Sequence, residues 1–212
     1  MLNLNPEHEL IGFLVRHGEL NISDRWDGWG NFVLSDKGRE SAEKAAQWLG
    51  FDKIGRVIAS DLPRTMQTAE YIMNDCDVSC PYLGSDPNLR AWAIGDFTGK
   101  EKTDERKKEF QHYRDNPDVP IPGGESFDQF CERVKVVYQY LSTPYNQLPS
   151  VLVIHNSVLK ALMGLDEKGD VVLPGGIVAV YIDSKGECSF EIAMGGAEDA
   201  PDASFGCMSS CG

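Results

Sequence analysis

The stretch 10-LIGFLVRHG-18 joins an apolar run to an arginine, a histidine and a glycine. Residues Leu10 to Val15 are typical of a buried β-strand, because a short continuous apolar run fits a strand that is covered on both faces. Arg16 and His17 follow directly at the carboxyl end of this strand. Ligands bind at that end of the strands in an open α/β sheet, so this junction is the first candidate for a functional site.

Strands and helices alternate along much of the remaining chain. Ser35 is a suitable N-cap for a helix that ends before Gly50, and Pro63 fits the first position of a second helix. Apolar runs predict further strands at 56–60, 151–154, 177–182 and 189–193, and helical spacing predicts helices at 126–141 and after His155. This order predicts an α/β fold, a three-layer αβα sandwich with a mainly parallel central sheet.

Two regions depart from this alternation. Residues 76–124 contain two proline-containing stretches and one charged helix at about 100–113, and we interpret them as a small cap insertion. From Gly195 onward the composition shifts to Gly, Ala, Ser and Asp, which predicts a flexible acidic tail. The chain is therefore expected to form one domain, residues 1–194, followed by a tail, residues 195–212.

The composition restricts the classes of binding partner. The 212 residues include 33 acidic and 20 basic side chains, which give a net charge of −13. This charge argues against binding to nucleic acid or to an anionic membrane, since both require a positive field. A small anionic substrate in a local pocket is compatible with it. The 42% of hydrophobic residues is enough to bury a core.

The sequence also bears on location and on metals. Residues 1–9 lack the pattern of a signal peptide, and no run approaches the ~20 apolar residues of a membrane helix. We therefore expect a cytoplasmic protein with reduced cysteines. Cys76 and Cys80, like Cys207 and Cys211, leave three residues between them, but no histidine cluster completes a zinc site, and no metal is expected. The oligomeric state and the role of the cysteines in the tail do not follow from the sequence.

Four polar side chains converge at the carboxyl ends of predicted strands. Arg16 and His17 follow the first strand, Arg64 lies in the first helical turn after the second, and His155 follows a later one. Guanidinium groups match the geometry of phosphate oxygens, and the starts of two helices add backbone N–H groups. The two histidines supply a nucleophile and a second donor. Together these residues predict a pocket for phosphoryl transfer.

The residues around these positions resemble five sequence blocks of the histidine phosphatase superfamily, in its phosphoglycerate mutase-like branch. Three blocks contain the four side chains: 14-LVRHGE-19, 59-ASDLPRTMQTA-69 and 153-VIH-155. The other two are 34-LSDKGRE-40 and 122-PGGES-126. The resemblance spans about residues 10–193 with the blocks in the family's order, which makes it far more specific than an arginine-histidine-glycine triplet.

The resemblance implies a two-step mechanism. Neutral His17 would attack phosphorus through one ring nitrogen to form a phosphohistidine, and water or a second acceptor would then take the phosphoryl group. A backbone or side-chain acceptor should hold the proton on the other nitrogen. Arg16, Arg64 and His155 would bind the nonbridging oxygens, with Asn156 also at the phosphate. Neither a metal nor another cofactor is implied.

The general acid of the family pattern is missing from its usual position in this chain. In the block that resembles L-x-E, the glutamate usually acts as general acid, but this chain has Ala91 at that position. The related acid-phosphatase branch has an aspartate after the second histidine, where this chain has Asn156. The alternative proton donors predicted here are Asp96, Glu125 and Glu19.

Three explanations for the missing acid are open. One of the alternative carboxylates reaches the leaving group, the enzyme uses substrates with good leaving groups, or turnover is slow. General acid catalysis contributes about 10²–10⁴-fold. A chain without it is expected to hydrolyse aryl phosphates much faster than alkyl phosphates.

The sequence thus predicts a phosphomonoester hydrolase that acts on a small phosphorylated substrate. A phosphoglycerate mutase-type phosphotransferase is one alternative, although the long insertions typical of mutases are not identifiable in the chain. A degenerate module that binds a phosphate ester or a phosphoprotein without turnover is another, motivated by Ala91 and Asn156. Substrate identity depends on the loops at 19–33 and 82–124, where no motif indicates a sugar, a nucleotide or a peptide.

Overall fold

The computed structural model describes residues 8–22, 24–50, 54–74, 83–143, 145, 147–165 and 171–196. The strands are β1 (His8–Arg16), β2 (Arg56–Ala59), β3 (Leu83–Ser85), β4 (Ser150–Ile154), β5 (Val172–Asp183) and β6 (Cys188–Gly196). The α-helices are α1 (Asp36–Leu49), α2 (Pro63–Asn74), α3 (Asp104–Asp115), α4 (Phe127–Val134), α5 (Val136–Ser142) and α6 (Asn156–Met163). Short 3₁₀ helices at Pro87–Leu89 and Gly95–Phe97 lie between β3 and α3.

The six strands form one sheet in the order β3-β2-β4-β1-β5-β6. Strands β3, β2, β4 and β1 run parallel, and β5 and β6 extend the sheet in antiparallel fashion. The register pairs Arg16 with Ile154 and Ala59 with Val153, so the residues that follow β1, β2 and β4 emerge at one edge. The mainly parallel sheet predicted from the sequence is confirmed.

Each face of the sheet packs against helices. Along β1, Phe13 and Val15 belong to the core shared with α1 and α2, whereas Leu14 belongs to the core shared with α4, α5 and α6. This division follows from the two-residue repeat of a strand, which sends successive side chains to opposite faces. Helices therefore cover both faces, and the three-layer αβα sandwich is confirmed.

Two predicted helices differ from the observed ones. The helix predicted at 126–141 is divided into α4 and α5 at Lys135, whose N–H donates to the carbonyl oxygen of Glu132, three residues earlier, at 3.3 Å. The apolar spacing continues across this break, because Val134 and Val137 are both buried. Helix α3 begins at Asp104 rather than near residue 100, since the Thr103 side chain caps it.

Two strands of the sheet overlap the ranges predicted as cap and as tail. Leu83–Ser85 belongs to the sheet as β3, so the sheet extends into the range predicted as cap, and residues 75–82 lie outside the described residues. Strand β6 extends to Gly196, two residues into the predicted tail. Residues 197–212 lie outside the described residues, as do all four cysteines considered for a metal site. None of the described helices has both the length and the apolar composition to cross a membrane.

Candidate active site

His17 directly follows the last residue of β1, and hydrogen bonds of its own backbone hold it in position. Its N–H donates to the Ile154 carbonyl oxygen at 3.1 Å, and its carbonyl oxygen accepts from the Gly175 N–H at 3.3 Å. The ring Nδ1 lies 2.8 Å from the Gly18 carbonyl oxygen. A carbonyl oxygen only accepts, so Nδ1 carries the proton and Nε2 has the lone pair. The backbone acceptor predicted from the sequence is thus the Gly18 carbonyl.

The surroundings of His17 keep its ring neutral. Only 5% of the residue is exposed. Burial, together with the positive charge of Arg64, lowers the pKa of His17 to about 3. Nε2 therefore keeps its lone pair unprotonated at neutral pH without the help of a separate base.

Gly18 allows the start of α1 to approach the backbone after His17 closely. A Cβ at Gly18 would lie 2.2 Å from the Gly38 carbonyl oxygen, and a Cβ at Gly38 would lie 2.1 Å from the Glu19 carbonyl oxygen. The Gly18 N–H also donates to the Thr68 hydroxyl oxygen at 3.1 Å. The two glycines let the start of α1 pack directly on the loop after β1, while α2 holds the same loop through Thr68.

Arg64, in the first turn of α2, is fully buried. Its Nη1 donates to the Gly30 carbonyl oxygen at 3.0 Å, and its Nη2 donates to the Gly28 carbonyl oxygen at 2.7 Å. Its Nε donates to Nδ1 of His155 at 3.3 Å. These bonds use three of the five N–H groups of a guanidinium. Arg64 thus connects the loop after His17 to the second histidine.

His155 lies between β4 and α6 and is 2% exposed. Because arginine only donates, the bond from Arg64 makes Nδ1 of His155 an acceptor and places the ring proton on Nε2. Burial, followed by the charge of Arg64, lowers the pKa of His155 well below its usual value, so this ring is also neutral. Its Nε2 has no hydrogen-bond partner within the part of the chain that the structure describes. The His17 and His155 rings, 5.2 Å apart between centroids, therefore hold opposite tautomers.

Arg16 and Asn156 line the same cavity as the two histidines. Nη1 of Arg16 donates to the Val172 carbonyl oxygen at 2.7 Å, which anchors the guanidinium to β5. Asn156 is the first residue of α6, and its Oδ1 accepts from the Val171 N–H at 3.3 Å. The positive end of the α6 dipole thus lies at the cavity. All five predicted phosphate-site residues meet at one edge of the sheet, although Arg64 lies behind the cavity wall.

Asp27 is a further member of the site, and no sequence pattern had indicated it. Its Oδ2 lies 3.4 Å from Nη2 of Arg64 and 3.9 Å from Nε2 of His17. Burial opposes ionisation of this carboxyl, but Arg64, His17, Lys102 and a backbone hydrogen bond together outweigh it and hold the pKa of Asp27 below its usual value. Among the described residues that line the cavity, Asp27 is the one carboxylate.

The three carboxylates predicted as proton donors do not line this cavity. Glu125 forms a two-point ion pair with Arg133, with Nε–Oε2 and Nη2–Oε1 distances of 3.1 and 2.5 Å. Glu125 and the exposed Asp96 line a different cavity. Glu19 is exposed and does not line the His17 cavity. Ala91, at the position of the missing acid, does line the His17 cavity.

The cavity has a volume of about 420 Å³, which suits a small metabolite. Besides Arg16, its wall includes three cationic side chains in or just before α3, which we call the cationic rim: Lys102, Lys107 and Arg114. Lys160 of α6 adds another positive charge. In a chain with a net charge of −13, this local excess of cations makes the field at the cavity positive.

Known proteins resemble this chain in both sequence and structure. Phosphoglycerate mutase-like protein 4 of Arabidopsis thaliana is 32% identical over 157 residues, which cover 70% of this chain and 67% of that protein. The metal-independent phosphoserine phosphatase of the same plant is 31% identical over 157 residues, which cover 70% of this chain and 65% of that protein. The solved phosphoglycerate mutase from Thermus thermophilus has a TM-score of 0.62 at 29% identity, covering 88% of this chain and 98% of that chain.

A family model covers most of the described fold, including the two histidines and the two arginines of the site. It is described as histidine phosphatase superfamily (branch 1), and it matches residues 13–169. The matched range begins within β1 and ends beyond α6. With its paired histidines at the carboxyl edge of the sheet, the chain belongs to branch 1 of the histidine phosphatase superfamily.

Proposed function

We propose that the protein hydrolyses small phosphomonoesters without a metal ion, through a phosphohistidine at Nε2 of His17. The observation that carries this proposal is the pair of neutral histidines in opposite tautomers. The Gly18 carbonyl oxygen fixes one ring and Arg64 fixes the other. One ring thus offers a lone pair to phosphorus, and the other offers an N–H group to an oxygen of the same phosphate.

In the first step, Nε2 of His17 attacks phosphorus in line with the leaving oxygen. The bond from phosphorus to that oxygen breaks, and its electron pair stays on the oxygen. Arg16 and the Nε2–H of His155 donate to nonbridging oxygens, while Arg64 adds a fixed positive charge behind them. Such positioning and electrostatic stabilisation account for most of the rate in phosphoryl transfer.

In the second step, a water oxygen attacks phosphorus on the side from which the alcohol has left. The bond from phosphorus to Nε2 breaks, and its electron pair returns to His17. The products are inorganic phosphate and the free enzyme. His17 is neutral at neutral pH, so its protonation state is the same before the first step and after the second.

The cationic rim favours substrates that carry a second anionic group. A phosphate at His17 is met by Arg16 and His155, and the rim lies on the same cavity wall. A carboxylate or a second phosphate on the substrate would therefore meet further positive charge. The same rim makes a phosphoglycerate mutase-type transfer the second candidate function, because it can retain an intermediate with two phosphates.

The test compares phosphate release from p-nitrophenyl phosphate by wild type, His17→Ala and His112→Ala. His112 is an exposed histidine of α3 that does not line the cavity, so His112→Ala is the matched control. We expect saturable release by wild type and by the control, and none by His17→Ala. Tight binding of phosphate esters without release would instead identify a binding module, and transfer to a phosphorylated acceptor in preference to water would identify a mutase.

A further inference from the structure

We propose that Asp27 protonates the leaving group, and that a bound phosphate brings it into this role by displacing it from Arg64. The inference rests on the hydrolysis proposed above and adds a catalytic residue to it. It assigns the missing general acid to the loop after His17 rather than to position 91.

One oxygen of Asp27 occupies the place of an anion in the substrate-free site. Oδ2 lies 3.4 Å from Nη2 of Arg64 and 3.9 Å from Nε2 of His17, the predicted nucleophile. Arg64 is fully buried and does not line the cavity. A substrate phosphate can therefore reach the remaining N–H groups of Arg64 only when the Asp27 carboxylate gives up that place.

The geometry of the reaction directs a displaced Asp27 towards the leaving group. In-line attack places the leaving oxygen opposite Nε2, away from the cavity floor in which His17 is buried. The side chain of Asp27 lines the cavity and is 37% exposed, so solvent reaches part of it, whereas the His17 side chain is 7% exposed. The backbone next to it is held in place, because Arg64 binds the carbonyl oxygens of Gly28 and Gly30. Only the short side chain has to move.

The charges around Asp27 explain how it acquires a proton. The groups that face it are Arg64 of α2, His17 after β1 and Lys102 before α3. Without substrate, burial raises the pKa of Asp27, but these charges, of which Arg64 acts most strongly, and a backbone hydrogen bond together hold it below its usual value, and the group is a carboxylate. A bound phosphate engages the charge of Arg64 and adds negative charge beside Asp27, and both changes raise the pKa of this carboxyl. Substrate binding is thus coupled to uptake of a proton by Asp27.

Asp27 gives up its proton in the first step of the reaction and accepts one in the second. As the alcohol leaves phosphorus, its oxygen takes the electron pair of the broken bond and the proton of Asp27. In the second step, the Asp27 carboxylate accepts a proton from the water that attacks phosphorus, and Nε2 recovers its electron pair. With this donor in place, the enzyme hydrolyses alkyl as well as aryl esters.

The experiment measures kcat for ethyl phosphate and for p-nitrophenyl phosphate with wild type, Asp27→Asn and Asp24→Asn. Asp24 is an exposed residue of the same loop that does not line the cavity, which makes it the matched control. We expect Asp27→Asn to lower kcat by about 10²–10⁴-fold for ethyl phosphate and by less than about 10-fold for p-nitrophenyl phosphate, because p-nitrophenolate leaves without a proton. Asp24→Asn should match wild type on both esters.

A second readout follows the proton directly. Calorimetric binding of inorganic phosphate, above its second pKa and in buffers of different ionisation enthalpy, should show proton uptake by wild type that Asp27→Asn lacks. An unchanged or tighter Kd in the variant would show that the site is folded.

Three outcomes would overturn the role of Asp27. They are an unchanged kcat for ethyl phosphate in Asp27→Asn, an equal loss on both esters in that variant, and a wild type that hydrolyses the aryl ester alone. Failure of the proposed function is distinguishable from all three, because His17→Ala would then retain activity on the aryl ester.

Discussion

The floor of the cavity and its cationic rim differ in burial and in how firmly their side chains are held. His17 and His155 on the floor and Arg64 directly behind it are 5%, 2% and 0% exposed, and hydrogen bonds determine which ring nitrogens carry protons. The rim lies on and beside α3, a helix in which no residue is buried. A rigid floor suits bond making, whereas an exposed helix can vary its charges without loss of the fold. Changes to the floor should therefore alter kcat and stability together, and changes to the rim should alter KM.

The largest expected effect comes from Arg64→Lys. A lysine keeps the charge but cannot bind Gly28, Gly30 and His155 at once, because it lacks the planar fork of arginine. We expect kcat/KM to fall by about 10³-fold, with His155 no longer fixed as a donor. The free energy of unfolding should fall by about 2 kcal/mol, since buried carbonyl groups lose their partners.

Steady-state kinetics and urea denaturation measure both quantities for Arg64→Lys. Arg39→Lys, at a partly exposed arginine of α1 outside the cavity, serves as the control and should resemble wild type. Wild-type kinetics in Arg64→Lys would show that the fork is not part of the chemistry.

A smaller effect is expected in the pH dependence of stability. The pKa of His17 is about 3 in the folded protein, below its value in the unfolded chain. The unfolded chain therefore binds a proton first as the pH falls, and stability is lost between about pH 6.5 and pH 3. Between about pH 7 and pH 5 this histidine alone should cost about 2 kcal/mol.

The His17→Asn variant isolates this contribution in urea denaturation across that pH range. Its stability should fall less steeply with decreasing pH than that of wild type, and His112→Asn should follow the wild-type slope. Parallel curves for all three proteins would mean that His17 is not buried in its neutral form.

The smallest effect is expected at the rim. Lys107 is exposed, and its ion pair with Asp104, at 3.6 Å, contributes little to stability. Lys107→Gln should raise KM for a substrate with two anionic groups by about 3–10-fold, leave kcat unchanged and weaken the salt dependence of KM. Lys108→Gln removes a neighbouring lysine that does not line the cavity. An equal rise of KM in both variants would indicate a general charge effect instead of a contact at the rim.

The sequence was informative about the floor because its residues adjoin regular elements. Arg16, His17 and His155 lie at the carboxyl ends of apolar strands, and Arg64 lies in the helix that begins just after β2. These side chains come together because the carboxyl ends of parallel strands lie at the same edge of a sheet. The tautomers did not follow from the sequence, because they depend on the contacts of each ring nitrogen with Gly18 and Arg64.

Asp27 could not be predicted in the same way. The apolar residues of the loop that contains Asp27 have the spacing of neither a strand nor a helix. The loop is held in place by long-range hydrogen bonds from Arg64 to the backbone carbonyl oxygens of Gly28 and Gly30. Glu125 is one of the three carboxylates that the sequence offers as alternative proton donors. Its ion pair with Arg133 and its bond to the Ala93 N–H place it at another cavity, and only tertiary contacts reveal this.

The most direct test of the account is to trap the covalent intermediate. Wild type is mixed with p-nitrophenyl phosphate, quenched in alkali and digested, and the peptides are analysed by mass spectrometry. We predict a phosphoryl group on His17, stable in base and labile in acid, and absent from the His17→Ala variant. Rapid hydrolysis with no phosphoryl group on His17, or with one on a different residue, would rule out the phosphohistidine mechanism proposed for His17.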